Sequence, residues 1–414
     1  MTSAAAAPPP TRAKAGARLT ATLALLAMIG PFTIDTIFPA FGRIGAEFGR
    51  DEVALQQLVS AYLASFAVMS IFHGPLSDAL GRKRVMLGGL AIYTLAMIAS
   101  AFAPSLEVLI ALRLVQGASA GAATIVSRVV VRDLFSGPQA QRLMASIMMI
   151  FSVAPALAPI LGGWVLLLGS WRLVFWAIAL YAIAVIVLTA LLPETLPPGE
   201  RTPLKVRAIL ASLLRVGSSG TMLRLAIASA FAFAAQFLYI AGASIFVTGL
   251  LGLGEQDFWV LFVPLIIGMM AGAWVTGRVA EIVPRTRLIT LALAATVVTC
   301  LVNVVLTLIA PAYDGELGAG LLVAVIGPML IAFTVALMFS PIQLEILDLF
   351  PHERGAAASL STFFSLVLNA LLAGAIAPLV MVNLTSTAVA SLVFVVVSIS
   401  LWTWHHRRGA RRSG

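Results

Sequence analysis

Apolar residues recur in blocks of about twenty along the 414-residue chain, separated by short polar segments. A helix needs about 20 mainly apolar residues to cross a bilayer. Such windows fall at 19–41, 54–73, 85–103, 106–131, 143–168, 173–192, 223–250, 257–277, 288–310, 317–344, 356–381 and 387–405. With no water to bond the backbone inside a membrane, each segment must satisfy its own N–H and C=O groups, which predicts helices rather than isolated strands. The expected fold is all-α, with twelve transmembrane helices.

Composition agrees with the pattern. Hydrophobic residues make up 61% of the chain and mean hydropathy is +1.05, against roughly 45 to 50% apolar residues in soluble domains. The net charge of +9 raises the question of nucleic acid. A nucleic-acid binder clusters its cations on one polar face, whereas these lie between apolar blocks, so no nucleic-acid partner is expected. Cys300 is the only cysteine, which excludes an intramolecular disulfide and a cysteine metal cluster, and no histidine and carboxylate spacing suggests a metal site.

The cations report orientation instead. Counted over alternate connections, twenty-two Lys and Arg fall on one side and only Arg43, Arg50 and Arg172 on the other. The positive-inside rule then predicts that both termini are cytoplasmic. The first apolar run is too long for the h-region of a signal peptide, so 1–18 reads as a cytoplasmic tail. The longest polar connection divides the rest: 19–192 as an N-terminal six-helix bundle, 193–222 as a cytoplasmic linker, 223–405 as a C-terminal six-helix bundle, and 406–414 as a basic cytoplasmic tail.

An internal repeat relates the halves. "GPLSDALGRKR" at 74–84 lies over "GRVAEIVPRTR" at 277–287, pairing Gly74 with Gly277, Asp78 with Glu281, Arg82 with Arg285 and Arg84 with Arg287, each after the second helix of its half. At one offset and in one topological slot, this pattern points to duplication.

On these residues the chain resembles the major facilitator superfamily, whose signature loop between helices two and three carries the same glycine, acid and Gly-Arg-Lys-Arg pattern, here Gly74, Asp78, Gly81, Arg82, Lys83 and Arg84. "RLVQG" at 113–117 extends the likeness, and "APALAPILGGW" at 154–164 is similar to the antiporter motif of drug and proton exchangers. "IDTIFPAF" in helix one and "VVRDLF" after helix four resemble the bicyclomycin-resistance (Bcr/CflA) branch. Ala79 and Ala158 depart from the usual loop cation and the usual glycine before Pro159.

The resemblance implies two pseudo-symmetric six-helix bundles in a bacterial inner membrane, working as a monomer, without cofactor and without enzymatic activity. It places Asp78 against the N-terminus of helix eleven, near Gly355, where a carboxylate meets unpaired N–H groups and the positive end of the helix dipole. Asp78 would then be a latch. Arg82, Lys83 and Arg84 would tether the loop to neighbouring acids or lipid phosphates; Arg132 and Asp133 could pair with this loop and strengthen the latch or form only a helix-end charge pair, and Glu281 is the repeated acid of the second half. Alternatively, this is a basic loop that only fixes topology.

Ionisable groups inside spans are costly and by default functional. Two stand out: Asp35 in helix one and Arg113 in helix four, each roughly 10 Å below the outer surface at about 1.5 Å per residue. The resemblance puts both on one cavity. Burial disfavours the charged carboxylate and a nearby guanidinium favours it, so Asp35 could exchange a proton for cargo while Arg113 holds it when the site is empty. A static Asp35–Arg113 ion pair that merely fixes two helices is the alternative.

No lysine stands in a Gly-Lys-Ser/Thr phosphate loop, which leaves an ion gradient or facilitation as the energy source. Pro155 and Pro159 remove backbone donors, and Gly162 and Gly163 permit close approach. They fit a hinge, or ordinary packing. Tyr62, Gln116, Met148, Met149, Gln236 and Tyr239 are candidate cavity residues, with Asn369 either lining or bridging. His73, His405 and His406 receive no role. The expected activity is proton-coupled export of amphipathic drug-like small molecules, with uptake or facilitated movement of a small metabolite as the alternative.

Overall fold

A computed structural model describes residues 17–135, 137–279, 282–309, 319–351 and 353–413, with the side chains of 17, 137–142, 144–146, 148–152, 319 and 408–413 left undescribed. Among the described residues there are helices and no strands. In chain order they are α1 (Ala17–Asp35), α2 (Phe41–Phe48), α3 (Glu52–Leu80), α4 (Arg82–Ser100), α5 (Leu106–Leu134), α6 (Gly137–Leu166), α7 (Arg172–Ala190) and α8 (Val206–Gly217), then α9 (Gly220–Ala241), α10 (Trp259–Val279), α11 (Arg285–Ile309), α12 (Ala319–Asp348), α13 (Arg354–Leu371), α14 (Ala377–Val380) and α15 (Leu384–Ser413). Eleven stretches of the described residues are helical, long and apolar enough to cross a membrane.

The two halves pack by one scheme. In the first, α3 and α4 lie along α5, α4 along α7, and α1 along α6 and α7. The second repeats it, with α10 and α11 along α12, α11 along α15, and α9 along α13 and α15. The contacts between halves obey the same symmetry: α3 packs on α13, and α6 on α10.

The elements depart from the predicted windows in three places, the first for a local reason. The first apolar window, expected as one helix over 19–41, breaks after Asp35, passes through a single 3-10 turn (Phe38–Ala40) and restarts as α2. Pro39 lacks the N–H that the Asp35 carbonyl, four residues earlier, needs to continue the helix. The windows at 223–250 and 356–381 both lapse into π-helix, at Ile245–Leu250 and Leu372–Ile376. The linker, read as polar connection, contains α8.

Burial separates the two faces of the molecule. One apolar core runs through both halves, from Phe38, Phe41 and Leu55 to Phe246, Leu261 and Ala373, and within the first half it continues to the basic loops at Val85, Val130 and Phe135. At the basic face the second half closes a core of its own, with Val216, Met222, Ile289, Met338, Ile346, Ala357 and Trp402. The halves share one core away from the basic loops, and towards those loops the second half keeps a separate interior.

Candidate functional site

The break in α1 leaves Asp35 as the last residue of the helix, 2% exposed, with no hydrogen bond or ion pair joining its carboxyl to another described residue. Arg113 in α5 is wholly buried and takes its partners elsewhere. Its Nε donates to the Leu58 carbonyl at 2.9 Å, and Nη1 donates to Gln116 Oε1 at 3.1 Å and to the Thr33 carbonyl at 3.4 Å. The expected Asp35–Arg113 ion pair is therefore absent from this conformation. Backbone carbonyls and an amide hold the cation in place of a carboxylate.

The "RLVQG" stretch has a geometric reading. Gln116 is anchored to α4, donating through Nε2 to Ser100 Oγ at 2.8 Å and to the Ala96 carbonyl at 3.2 Å, and so presents its Oε1 to Arg113. Gly117 lets the backbones of α5 and α3 meet, since a Cβ there would sit 2.1 Å from the Tyr62 carbonyl. That approach brings the Leu58 carbonyl within reach of the guanidinium. The guanidinium lies 4.8 Å from the centroid of the Tyr62 ring, a cation–π arrangement. Tyr62 is within electrostatic reach of both Arg113 and Asp35. Arg113 Nη2 and the Tyr62 hydroxyl are buried without hydrogen-bond partners. Thr33 Oγ1 meets the Tyr93 hydroxyl and completes the cluster.

Across the molecule, Gln236 and Tyr239 on α9 are also buried. Tyr239 accepts a hydrogen bond from Asn303 Nδ2 at 2.9 Å, while Gln236 Nε2 and Asn369 Oδ1 are without partners. The side chains of Met148 and Met149 lie outside the described residues, as does Glu281.

Direct ties between the halves cluster at the face away from the basic loops. Arg43 donates from Nε to both oxygens of Glu255, at 2.9 and 3.0 Å, and from Nη2 to Oε2 at 2.7 Å. Its Nη1 also reaches the carbonyls of Leu166, at 2.9 Å, and Gly169. Gln57 Nε2 donates to the Gly374 carbonyl at 2.7 Å and Ser60 Oγ to the Ala370 carbonyl at 2.9 Å. The two glycines of "APALAPILGG" divide their roles. A Cβ on Gly162 would stand 2.2 Å from the Thr36 carbonyl within the first half, and one on Gly163 would stand 2.4 Å from the Glu255 carbonyl in the second. Pro155 and Pro159 lie inside α6.

At the basic face the signature loop is tied within its own half. Arg82 pairs with Asp78 and, at 3.0 Å, with Asp133, and donates to Ser77 Oγ at 2.7 Å. Asp78 was expected against the N-terminus of α13. In this conformation its carboxylate pairs with Arg82 instead. A different acid meets a helix N-terminus: Glu194 Oε1 accepts from the backbone N–H of Arg82 at 2.9 Å and of Lys83 at 3.4 Å, at the start of α4. Gly81, at φ +103°, makes this possible, since a Cβ there would lie 2.6 Å from Glu194 Oε2. Lys83 Nζ donates to the Ala190 carbonyl at 2.6 Å, whereas Arg84 and Arg132 are exposed. Gly74 has open space around its missing side chain. The second half repeats the motif: Arg285 at the start of α11 pairs with Asp348 at 2.6 Å and Glu345 at 3.5 Å at the end of α12.

Two of these groups escaped the sequence reading. Glu194 follows an apolar run without a pattern to mark it. Arg43 carried a usable signal, as one of only three cations on the sparse side.

Residues 23–378 match the Major Facilitator Superfamily. The chain belongs to this superfamily. It is 28% identical over 274 residues to the bicyclomycin resistance protein homolog of Haemophilus influenzae, covering 66% of this chain and 69% of that one. Multidrug resistance protein D of Escherichia coli is 29% identical over 344 residues, with 82% and 83% covered. Among solved structures, a bacterial Spinster homologue in an inward-facing, unoccupied conformation superposes with a TM-score of 0.69 at 15% identity, covering 94% of this chain and 96% of that one. Nucleoside transporter NupG reaches a TM-score of 0.71 at 12% identity, with 94% and 99% covered. At those identities the structures speak for the fold alone.

Proposed function

We propose that this superfamily transporter is a proton-coupled exporter of amphipathic drug-like small molecules, acting by alternating access as a monomer in the bacterial inner membrane. Twelve crossings with both termini in the cytoplasm are the topology that the cation distribution supports. The basic face is then cytoplasmic, and the structure is the state closed to the outside. Multidrug-resistance relatives support the substrate class.

The observation that carries proton coupling is the buried carboxyl of Asp35, which has no hydrogen bond or ion pair to another described residue, while Arg113 donates its bonds to Leu58 and Gln116 instead. An ionised carboxylate without a partner is expensive to bury, so the neutral acid is the cheaper form in this state. Cargo or water reaching Asp35 changes that balance, and the proton leaves. Arg113, Tyr62, Gln116, Met148, Gln236 and Tyr239 are proposed to receive cargo as the buried cluster opens. Asp78, Arg82 and Asp133 become the latch of the opposite state, and Pro155 and Pro159 supply the bend in α6.

The test is transport by Asp35→Asn in proteoliposomes under an imposed pH gradient. Loss of proton-driven flux, with drug binding retained, supports the assignment. Undiminished coupling removes it.

A further inference from the structure

The linker helix α8 carries more apolar surface than the protein covers. At about 100° per residue, Ile209, Leu213 and Val216 share one side, and Leu213 and Val216 are buried. Val206, Leu210 and Leu214 continue that arc around the helix and remain 43%, 45% and 74% exposed. Arg207 borders this stripe on the wheel, and Lys205 precedes the helix. Neither cation forms an ion pair with a described residue. There is no acid within α8.

Position identifies what covers the stripe. Only Ser218 and Ser219 separate α8 from α9, a helix long and apolar enough to cross the membrane, so α8 lies at the level where the basic face meets the headgroups. A helix with an exposed apolar stripe bordered by unpaired cations suits an anionic lipid surface. We propose that α8 is an anionic-lipid-binding element, with Val206, Leu210 and Leu214 below the headgroups of the adjoining leaflet and Lys205 and Arg207 on their phosphates. Its other side is fastened to the second half: Ser212 Oγ donates to Glu353 Oε1 at 3.1 Å, and Arg215 pairs with the same oxygen at 3.2 Å, one residue before α13 begins. The lipid surface is thereby linked to the helix that packs against α3. This inference rests on the membrane placement of the superfamily fold and is independent of which cargo is carried or how it is driven.

The chain's single cysteine makes a direct test practical. A bimane label is placed at Leu210→Cys in a Cys300→Ala background, and the protein is reconstituted in vesicles containing brominated phosphatidylglycerol or, at equal mole fraction, brominated phosphatidylcholine. The expected result is quenching by both lipids, stronger with phosphatidylglycerol. Lys205→Gln/Arg207→Gln should abolish the difference while leaving apolar insertion in place. Each cation contributes about 1 kcal/mol near an anionic surface, so the double variant should lose about thirtyfold in lipid preference. Quenching by aqueous iodide without quenching by either lipid would overturn the proposal. Equal quenching by the two lipids in the unmodified linker would overturn its anionic part.

Discussion

Removing Glu255 should loosen the closed face by a calculable amount. Its carboxylate takes three N–H···O contacts from Arg43, between 2.7 and 3.0 Å, and joins residues of opposite halves. Hydrogen bonds to charged groups contribute about 1.5 to 3 kcal/mol when shielded. The two side chains are 36% and 26% exposed, so water competes, and a net of about 1 to 2 kcal/mol is the fitting figure. The pair cannot survive separation of the halves, so this energy belongs to the closed state alone. At 1.36 kcal/mol per decade, Glu255→Gln should raise the population open at this face about 5- to 30-fold. Glu255 is a cleaner target than Arg43, which also holds the Leu166 and Gly169 carbonyls within its own half. The assay is the rate at which an impermeant thiol reagent modifies Ser60→Cys in a Cys300→Ala background, because Ser60 faces the Ala370 carbonyl across the closed interface. Loss of that one hydrogen bond is common to every variant and cancels. Arg43→Gln/Glu255→Gln should accelerate labelling little more than the more damaging single change. Rates within twofold of the parent for all three variants would refute the assignment of the pair to gating.

The glycines of α6 should separate gating from folding. Gly163→Ala places a methyl against the Glu255 carbonyl of the other half and should also raise Ser60→Cys labelling. Gly162→Ala collides with Thr36 inside one half, and should cost about 1 to 3 kcal/mol of thermal stability in detergent without favouring either face. Arg82→Gln strands Asp133 and Asp78 around a side chain only 8% exposed. The two carboxylates left behind are 21% and 46% exposed, so water compensates them in part and the loss should be about 1 to 3 kcal/mol; unfolding should shift to lower temperature, and an unchanged midpoint would show that the cluster is not structural in this state.

Much of this protein is local information. A block of twenty apolar residues has one way to satisfy its backbone in a bilayer, so the helices, the halves and the sided distribution of cations can be read from the chain alone. The repeat could be read as well: Arg82 and Arg285, matched by alignment, both start a helix and pair with acids at the end of the neighbouring one. So could the isolation of Asp35 and Arg113 as charges within spans. Pro39 even carried the break after Asp35, although hydropathy alone runs across it.

What the chain alone did not determine is which of two partners each charge takes. Arg113 could meet Asp35 or the Leu58 carbonyl. Asp78 could meet α13 or Arg82. The Arg43–Glu255 tie joins residues 212 positions apart. The choices differ by the relative placement of two halves, each already satisfied internally, and only a few kcal/mol of contacts at one face select between placements. Local rules fix the parts because every buried backbone group must be paired within its own helix. The arrangement of the parts is fixed by side chains that meet only after folding, so the three-dimensional structure was needed to show which face is closed and which groups close it.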